Sequence, residues 1–292
     1  MRRRFMIAFN PGAGRSSRAL LDAVLDEMRA ADGAARFCSA SAVTMDGVRA
    51  EIRSAALAGE VDAVVAAGGD GTIRQVAAAL ADTATPLGIV PLGTGNVLAH
   101  ELALPRGAGD LARMLRLGPT REITLARANG EPFLLMAGAG FDGRVVGLLD
   151  QALKLRTGKF AYVPPALAAL VQPIDRLQVE VDGRSRTATW VVAANARHYG
   201  GHFVMAPRTS IFEPGLSCIL FTAERRDVLL AQLIALGRGR LDLHRDVEMI
   251  ACDRVAVTAE RPVPVQIDGD AFATTPLVVT LGDQRIALIV PD

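Results

Sequence analysis

Positive charge in excess is the first thing this 292-residue chain lacks: 32 Lys and Arg stand against 31 Asp and Glu, for a net charge of +1. So small a surplus gives no argument for a polyanion, and nucleic acid is not expected as a partner. The local cluster Arg2-Arg3-Arg4 reads as a solvated terminus, with contact to an anionic surface as the alternative. Cysteine is restricted to Cys38, Cys218 and Cys252, an odd number, far apart and in no metal-ligand spacing. That excludes a disulfide framework and a zinc motif and fits a reducing, cytoplasmic compartment. No apolar run is long enough to span a bilayer. Phe5–Phe9 is cut off by Asn10-Pro11-Gly12, too early for a signal peptide, and the richest later stretch, 161–171, contains Pro164-Pro165. A soluble or peripheral protein is expected. Internal repeats and low-complexity tracts are absent as well. So is a Walker A loop, because Asn10-Pro11-Gly12-Ala13-Gly14-Arg15 has glycines and one guanidinium but neither the lysine nor the spacing.

What is present is a chain long enough for two domains, half of it hydrophobic. Up to about residue 124 the pattern alternates strand and helix: 4–9, 18–30, 35–38, 47–58, 61–67, 73–80, with a strand resuming at 86–90. Such alternation implies an α/β, Rossmann-like domain with a parallel sheet, whose ligands sit at the carboxyl ends of the strands. Beyond it the texture turns to short β-rich runs punctuated by Asp182-Gly183, Asp268-Gly269 and Gly282-Asp283, with helical interruptions near 148–155 and 228–236. This reads as an antiparallel β-sandwich domain. The expected domains are therefore 1–124 and 125–292.

Three polar glycine loops fall at strand ends of the first domain, at 10–17, 68–72 and 91–96. The most informative follows Val64-Val65-Ala66-Ala67. Gly68, Gly69 and Gly71 let backbone N–H groups approach an anion, and the apolar-periodic run from Ile73 to Leu80 reads as a helix whose positive end faces it. Asp70 among them would repel phosphates unless a divalent cation intervened, which suggests a metal–nucleotide complex. The plainer reading is a tight strand-to-helix turn with Asp70 or Thr72 as the N-cap. Gly12, Gly14 and Arg15 offer further N–H groups and a guanidinium, and Gly93, Thr94 and Asn96 add N–H groups, a hydroxyl and an amide. In the second domain Gly138-Ala139-Gly140-Phe141-Asp142 carries another acid, and Gln266-Ile267-Asp268-Gly269-Asp270 ends a strand with two carboxylates two residues apart. Those two acids can project together from a turn, or belong to a solvated Asp-Gly-Asp hairpin. His198 and His202 flank Tyr199-Gly200-Gly201, a poor helix, so a loop is expected there rather than a metal pair.

In this order, Asn10-Pro11 with Gly14, the Gly68–Thr72 turn, Pro91–Asn96 with Ala99, Gly140-Phe141-Asp142 and Gln266-x-Asp268-Gly-Asp270 resemble the diacylglycerol kinase, sphingosine kinase and bacterial lipid kinase superfamily. Arg197-His198-Tyr199-Gly200-Gly201 with Pro207 is similar to that family's second-domain loop. The resemblance covers nearly the whole chain. It implies an ATP- and Mg2+-dependent kinase that phosphorylates a hydroxyl of a diacylglycerol-like or sphingoid lipid held in a cleft of the second domain, with a place in phospholipid synthesis. It implies that Asn10, Gly69, Asp70, Gly71, Thr72 and Thr94 line the nucleotide, with Ser41 from an imprecise alignment. Arg15, Asp70 and Asp142 would organise magnesium and water, and one of Asp268 and Asp270 would be the general base. The chain departs from the family at Glu213-Pro214, where many members carry Asp-Gly, and at Asp270, where glutamate is more usual. A homodimer is left open.

Two rival readings stand beside this one. An NAD kinase shares the Gly-Gly-Asp-Gly turn but usually adds an Asn-Glu pair downstream that is missing here; a catalytically silent nucleotide- or lipid-binding protein would keep the fold alone. For peripheral membrane contact, 151–171 combines Lys154, Arg156 and Lys159 with Leu153, Leu155, Phe160 and Tyr162, and 238–245 adds further basic residues. These residues make an interfacial patch or pack within the second domain.

Overall fold

A computed structural model describes residues 1–9, 15–39, 45–149 and 161–292, without the side chains of residues 15–17 and 45. The chain forms two compact units, Met1–Thr124 with Asp283–Asp292, and Leu125–Gly282.

The first unit alternates β1 (Arg4–Phe9), α1 (Arg15–Ala31), β2 (Arg36–Ser39), α2 (Met45–Leu57), β3 (Ala63–Gly68), α3 (Asp70–Leu80), β4 (Leu87–Pro91), the short α4 (Val97–Glu101) and α5 (Ala108–Leu117). Its strands pair in parallel in the order β2-β1-β3-β4. Every residue of β3 is buried, as a central parallel strand covered on both faces requires. In α3 the buried side chains Ile73, Val76, Ala77 and Leu80 recur at helical spacing. That helix starts at Asp70 rather than at Ile73, so the polar part of the glycine motif is its first turn.

The second unit takes in the end of β5 (Thr120–Ala128), then β6 (Glu131–Phe133), β7 (Met136–Ala139), α6 (Phe141–Gly147), α7 (Val163–Val171), β8 (Leu177–Val181), β9 (Arg184–Ala188), β10 (Trp190–Ala194), β11 (His198–Tyr199), β12 (Phe203–Val204), β13 (Leu216–Phe221), α8 (Arg226–Gly237), β14 (Val247–Cys252), β15 (Arg254–Ala259), β16 (Pro264–Ile267), β17 (Asp270–Thr274) and the start of β18 (Leu277–Ile289). One antiparallel sheet runs β14-β13-β10-β7-β16-β17, and opposite it lie β18-β15-β8-β9 with the β5–β6 hairpin. Alternate residues of both layers, among them Val179, Val191, Leu220, Val255, Val265 and Val279, close a buried sandwich core.

The expected second domain ran to residue 292, but the end of β18 returns to the first unit, where Leu288 pairs in parallel with Leu87 of β4. A period-2 strand pattern carries no mark of where a strand passes from one unit to the other. The helix expected near 148–155 lies largely outside the described residues; the helix found before it is α6.

Candidate active site

In the first unit β3 delivers Gly68 buried and leaves Gly69 to Thr72 partly accessible at its carboxyl end. Gly69 is the N-cap of α3, in extended conformation (φ −92°, ψ −177°), and no side chain caps the helix. The N-cap expected at Asp70 or Thr72 is therefore replaced by a glycine, which has no side chain with which to cap the first turn, the arrangement that suits an external anion. Asp70 instead caps a different helix: its Oδ2 accepts the Val97 N–H at 3.1 Å and its Oδ1 the Leu98 N–H at 3.1 Å. Those are the first two amides of α4, so the acid is stabilised by a helix N-terminus. The same bonds tie the Gly68–Thr72 turn to the start of α4, directly after the 93–96 loop. The approach is so close that a Cβ on Gly93 would lie 2.5 Å from the Gly69 Cα. Beside it Thr94 is exposed, and Asn96, in left-handed conformation at φ 46°, holds its Oδ1 buried with no hydrogen-bond partner among the described residues. An orphaned acceptor next to an uncapped helix start fits a ligand carrying both a donor and phosphates.

In the second unit β16 and β17 form a hairpin whose two central residues, Asp268 (φ 49°) and Gly269 (φ 81°), both have the positive φ of a type I′ turn. The hairpin reading is thus right for the backbone, but Asp268 is not solvated: it is 8% exposed. Its Oδ2 accepts the Leu134 N–H at 2.9 Å, and its Oδ1 accepts those of Leu135 at 2.8 Å and Met136 at 3.1 Å. Three amides from the β6–β7 junction occupy both oxygens, so Asp268 latches the turn. Asp270, opposite Ile267 at the start of β17, is half-buried.

Asp142, in the first turn of α6, is completely buried. Its Oδ2 accepts the Gln266 Nε2–H at 2.9 Å and its Oδ1 the Gly143 N–H at 2.8 Å. Burial pushes this carboxyl up to about 7, against the opposing pull of those two bonds. The native state consequently holds a proton that the unfolded chain has already lost between pH about 4 and 7. Stability falls as pH rises through that window. Asp142→Asn removes the term, so the unfolding free energy of the variant relative to wild type should rise by about 3 kcal/mol from pH 4 to pH 7. Urea unfolding across pH checks this, and parallel curves would contradict it.

Two further residues serve the hairpin without any motif announcing their roles, Gln266 and Asn195. Gln266 is 1% exposed and also accepts the Gly269 N–H through Oε1 at 2.9 Å. Asn195, equally buried, donates from Nδ2 to the Leu134 carbonyl at 3.0 Å and so supports the strand that holds Asp268. The visible signal was a polar residue closing the wholly apolar run of β10. Tyr199 is half-buried beside Trp190, their ring centroids 6.4 Å apart, and desolvation pushes its hydroxyl pKa well up. His198 lies on β11 and His202 in the turn that follows, so they share no helical face. Glu213 and Pro214 are exposed in the loop before β13.

Asn10, Gly12, Gly14 and Ser41 lie outside the described residues, as does the Arg15 side chain. No group of three or more His, Cys, Asp or Glu side chains that could hold a metal occurs among the described residues. Magnesium commonly keeps most of its water and takes one or two carboxylates besides substrate phosphates, so Asp70 at the phosphate-ready turn fits such a cation; Asp142, enclosed by Gln266 and Gly143, does not.

Residues 4–128 match the diacylglycerol kinase catalytic domain, and residues 136–290 the YegS C-terminal NAD kinase beta sandwich-like domain. A diacylglycerol kinase of Bacillus subtilis is 27% identical over 92% of this chain and 90% of its own. An uncharacterised protein of Synechocystis is 31% identical over 80% of this chain, which spans only 56% of that protein's length. The crystal structure of a diacylglycerol kinase from Bacillus anthracis, 18% identical, superposes with a TM-score of 0.75 over 99% of this chain and 97% of that one, which shows the shared fold. With one domain match in each half of the chain, in the order that the glycine turn and the acidic hairpin require, the chain belongs to the diacylglycerol kinase and YegS-like family of lipid kinases, which are phosphotransferases.

Proposed function

We propose that this protein transfers the γ-phosphoryl group of ATP to the hydroxyl of a diacylglycerol-like or sphingoid lipid. The observation that carries the reading is the glycine-capped start of α3 in the Gly68–Thr72 turn, bound through Asp70 to the first two amides of α4, which directly follows the 93–96 loop. Phosphoryl transfer asks for positioning and for neutralisation of negative charge, and the N–H groups of that turn supply both. The Thr94 hydroxyl and the unmatched Asn96 Oδ1 belong to the same loop and would orient the nucleotide. Mg2+, held by Asp70 and the phosphates, would neutralise the triphosphate.

Asp270 is the base in this reading. Of the two motif acids, Asp268 already has both oxygens committed to three amides, whereas Asp270 is the acid that the latched turn presents with partial exposure. It accepts the proton of the lipid hydroxyl as that oxygen attacks phosphorus. Transfer of label from γ-labelled ATP to a lipid alcohol, with NAD offered in parallel, tests the assignment.

A lipid acceptor has to be met at a bilayer surface, and no described helix is long and apolar enough to cross one. We place that contact on α7 and α8. The exposed residues of α7, Val163, Pro164, Leu167, Ala168 and Val171, are all apolar, and α8, packed against it, adds exposed Leu230 and Ile234. Arginines frame the patch: the Arg226 Nη2 donates to the Val171 carbonyl at 2.8 Å, and exposed Arg238 and Arg240 follow α8. Apolar residues ringed by cations suit the headgroup boundary of an anionic membrane. Leu167→Asp combined with Ile234→Asp should weaken binding to phosphatidylglycerol-containing vesicles in sedimentation by about 100-fold, two side chains that enter the bilayer being lost at about 1.5 kcal/mol each. Unchanged sedimentation would move the contact elsewhere. Lys154, Arg156 and Lys159 lie outside the described residues.

A further inference from the structure

We propose that Gln266 is a positioning residue for the Asp270 base, acting as a two-ended amide strut between Asp142 and the turn; this rests on the kinase reading above. The side chain is buried on β16, where neither end has water to turn to. Its Oε1 accepts the Gly269 N–H, the amide immediately before Asp270, at 2.9 Å. With the oxygen so committed, the NH2 end must face Asp142, whose Oδ2 takes it at 2.9 Å.

The direction of this bond explains why an acid stands buried at position 142. A donor there would leave the Gln266 NH2 facing another donor, and the amide would flip and release Gly269. The turn is thereby gripped from two directions, by the Asp268 carboxylate on the β6–β7 amides and by the Gln266 amide from β16. The grip is needed because the backbone here is not relaxed: Asp268 is a non-glycine residue in left-handed conformation, and the register of the hairpin shifts between Val265 and Gln266. Asp270 is the next residue along, and its direction follows from the turn.

The arrangement can be reversed without loss of a hydrogen bond. When Asp142→Asn is combined with Gln266→Glu, the amide introduced at position 142 donates from its nitrogen to the carboxylate introduced at position 266 and keeps its oxygen for the Gly143 N–H. The other oxygen of that new carboxylate still accepts the Gly269 N–H. Each single change instead sets donor against donor, or one buried acid against another. Gln266→Glu alone and Asp142→Asn alone should each lower kcat by about 100-fold, with KM for ATP within about twofold of wild type, the range a misplacement of about 1 Å produces. The double variant should recover to within about tenfold of wild type.

A second readout needs no turnover. Amide hydrogen exchange at Gly269 should accelerate in both single variants and be restored in the double variant, with thermal unfolding of each protein as the check on folding. A double variant that shows neither recovered kcat nor recovered Gly269 protection, while folded, would overturn the proposal, as would single variants with wild-type exchange. If wild-type protein phosphorylates no lipid but Gly269 exchange follows the expected order, the kinase reading fails and the strut stands.

Discussion

Asp70→Asn should lower kcat/KM by about 100- to 1,000-fold, the range seen when one charge-stabilising group leaves a transition state. The reason is structural as well as electrostatic. The two Asp70 oxygens each hold one amide of α4, and an asparagine can satisfy only one of them, setting its own NH2 against the other N–H. The 93–96 loop would then lose its fixed distance from the Gly68–Thr72 turn at the point where Gly93 and Gly69 touch. One lost cap should reduce stability by about 1 kcal/mol, too little to unfold a domain of this size. Steady-state kinetics beside thermal unfolding checks both parts. Near-wild-type turnover would remove Asp70 from the nucleotide site.

The two acids of the hairpin should separate by the kind of damage their loss causes. Asp270→Ala is expected to reduce kcat by about 100- to 10,000-fold, as removal of a general base does, with stability within about 1 kcal/mol of wild type. Asp268→Ala should instead destabilise the protein by about 3 kcal/mol or more, because three buried N–H groups at Leu134, Leu135 and Met136 lose their acceptor together. Its activity falls because the turn is released. Denaturant unfolding and single-turnover kinetics on both variants distinguish the roles; the reverse assignment would follow if Asp268→Ala were the stable, inactive one.

What the sequence made legible was local. The Gly68–Thr72 turn, the apolar face of α3 and the Asp268-Gly269 hairpin are each set within a few residues, by glycine conformation and by the spacing of buried side chains. The alternation before residue 124 and the short strands after it announced the two architectures because the period of the apolar pattern differs between them. The partners of the acids were not legible. Asp268 meets amides 132 to 134 positions away, Gln266 and Asp142 are 124 apart, and Asp70 reaches 27 and 28 positions to cap α4. Nothing within a linear motif distinguishes an acid that will hold backbone from one that will take a proton. For that reason Asp268 and Asp270 looked equivalent until the β6–β7 junction was seen to occupy the first. The return of β18 to the first unit was hidden in the same way, since a continuous strand reads identically whichever strand it pairs with.

The measurement closest to the central claim is transfer of label from γ-labelled ATP, with magnesium, to a panel of diacylglycerol, monoacylglycerol, sphingoid and polyprenol lipids in mixed micelles, beside NAD and with Asp70→Asn as control. Label entering a lipid hydroxyl, lost in the variant and on chelation of magnesium, is the expected result. Label entering NAD and no lipid would contradict it.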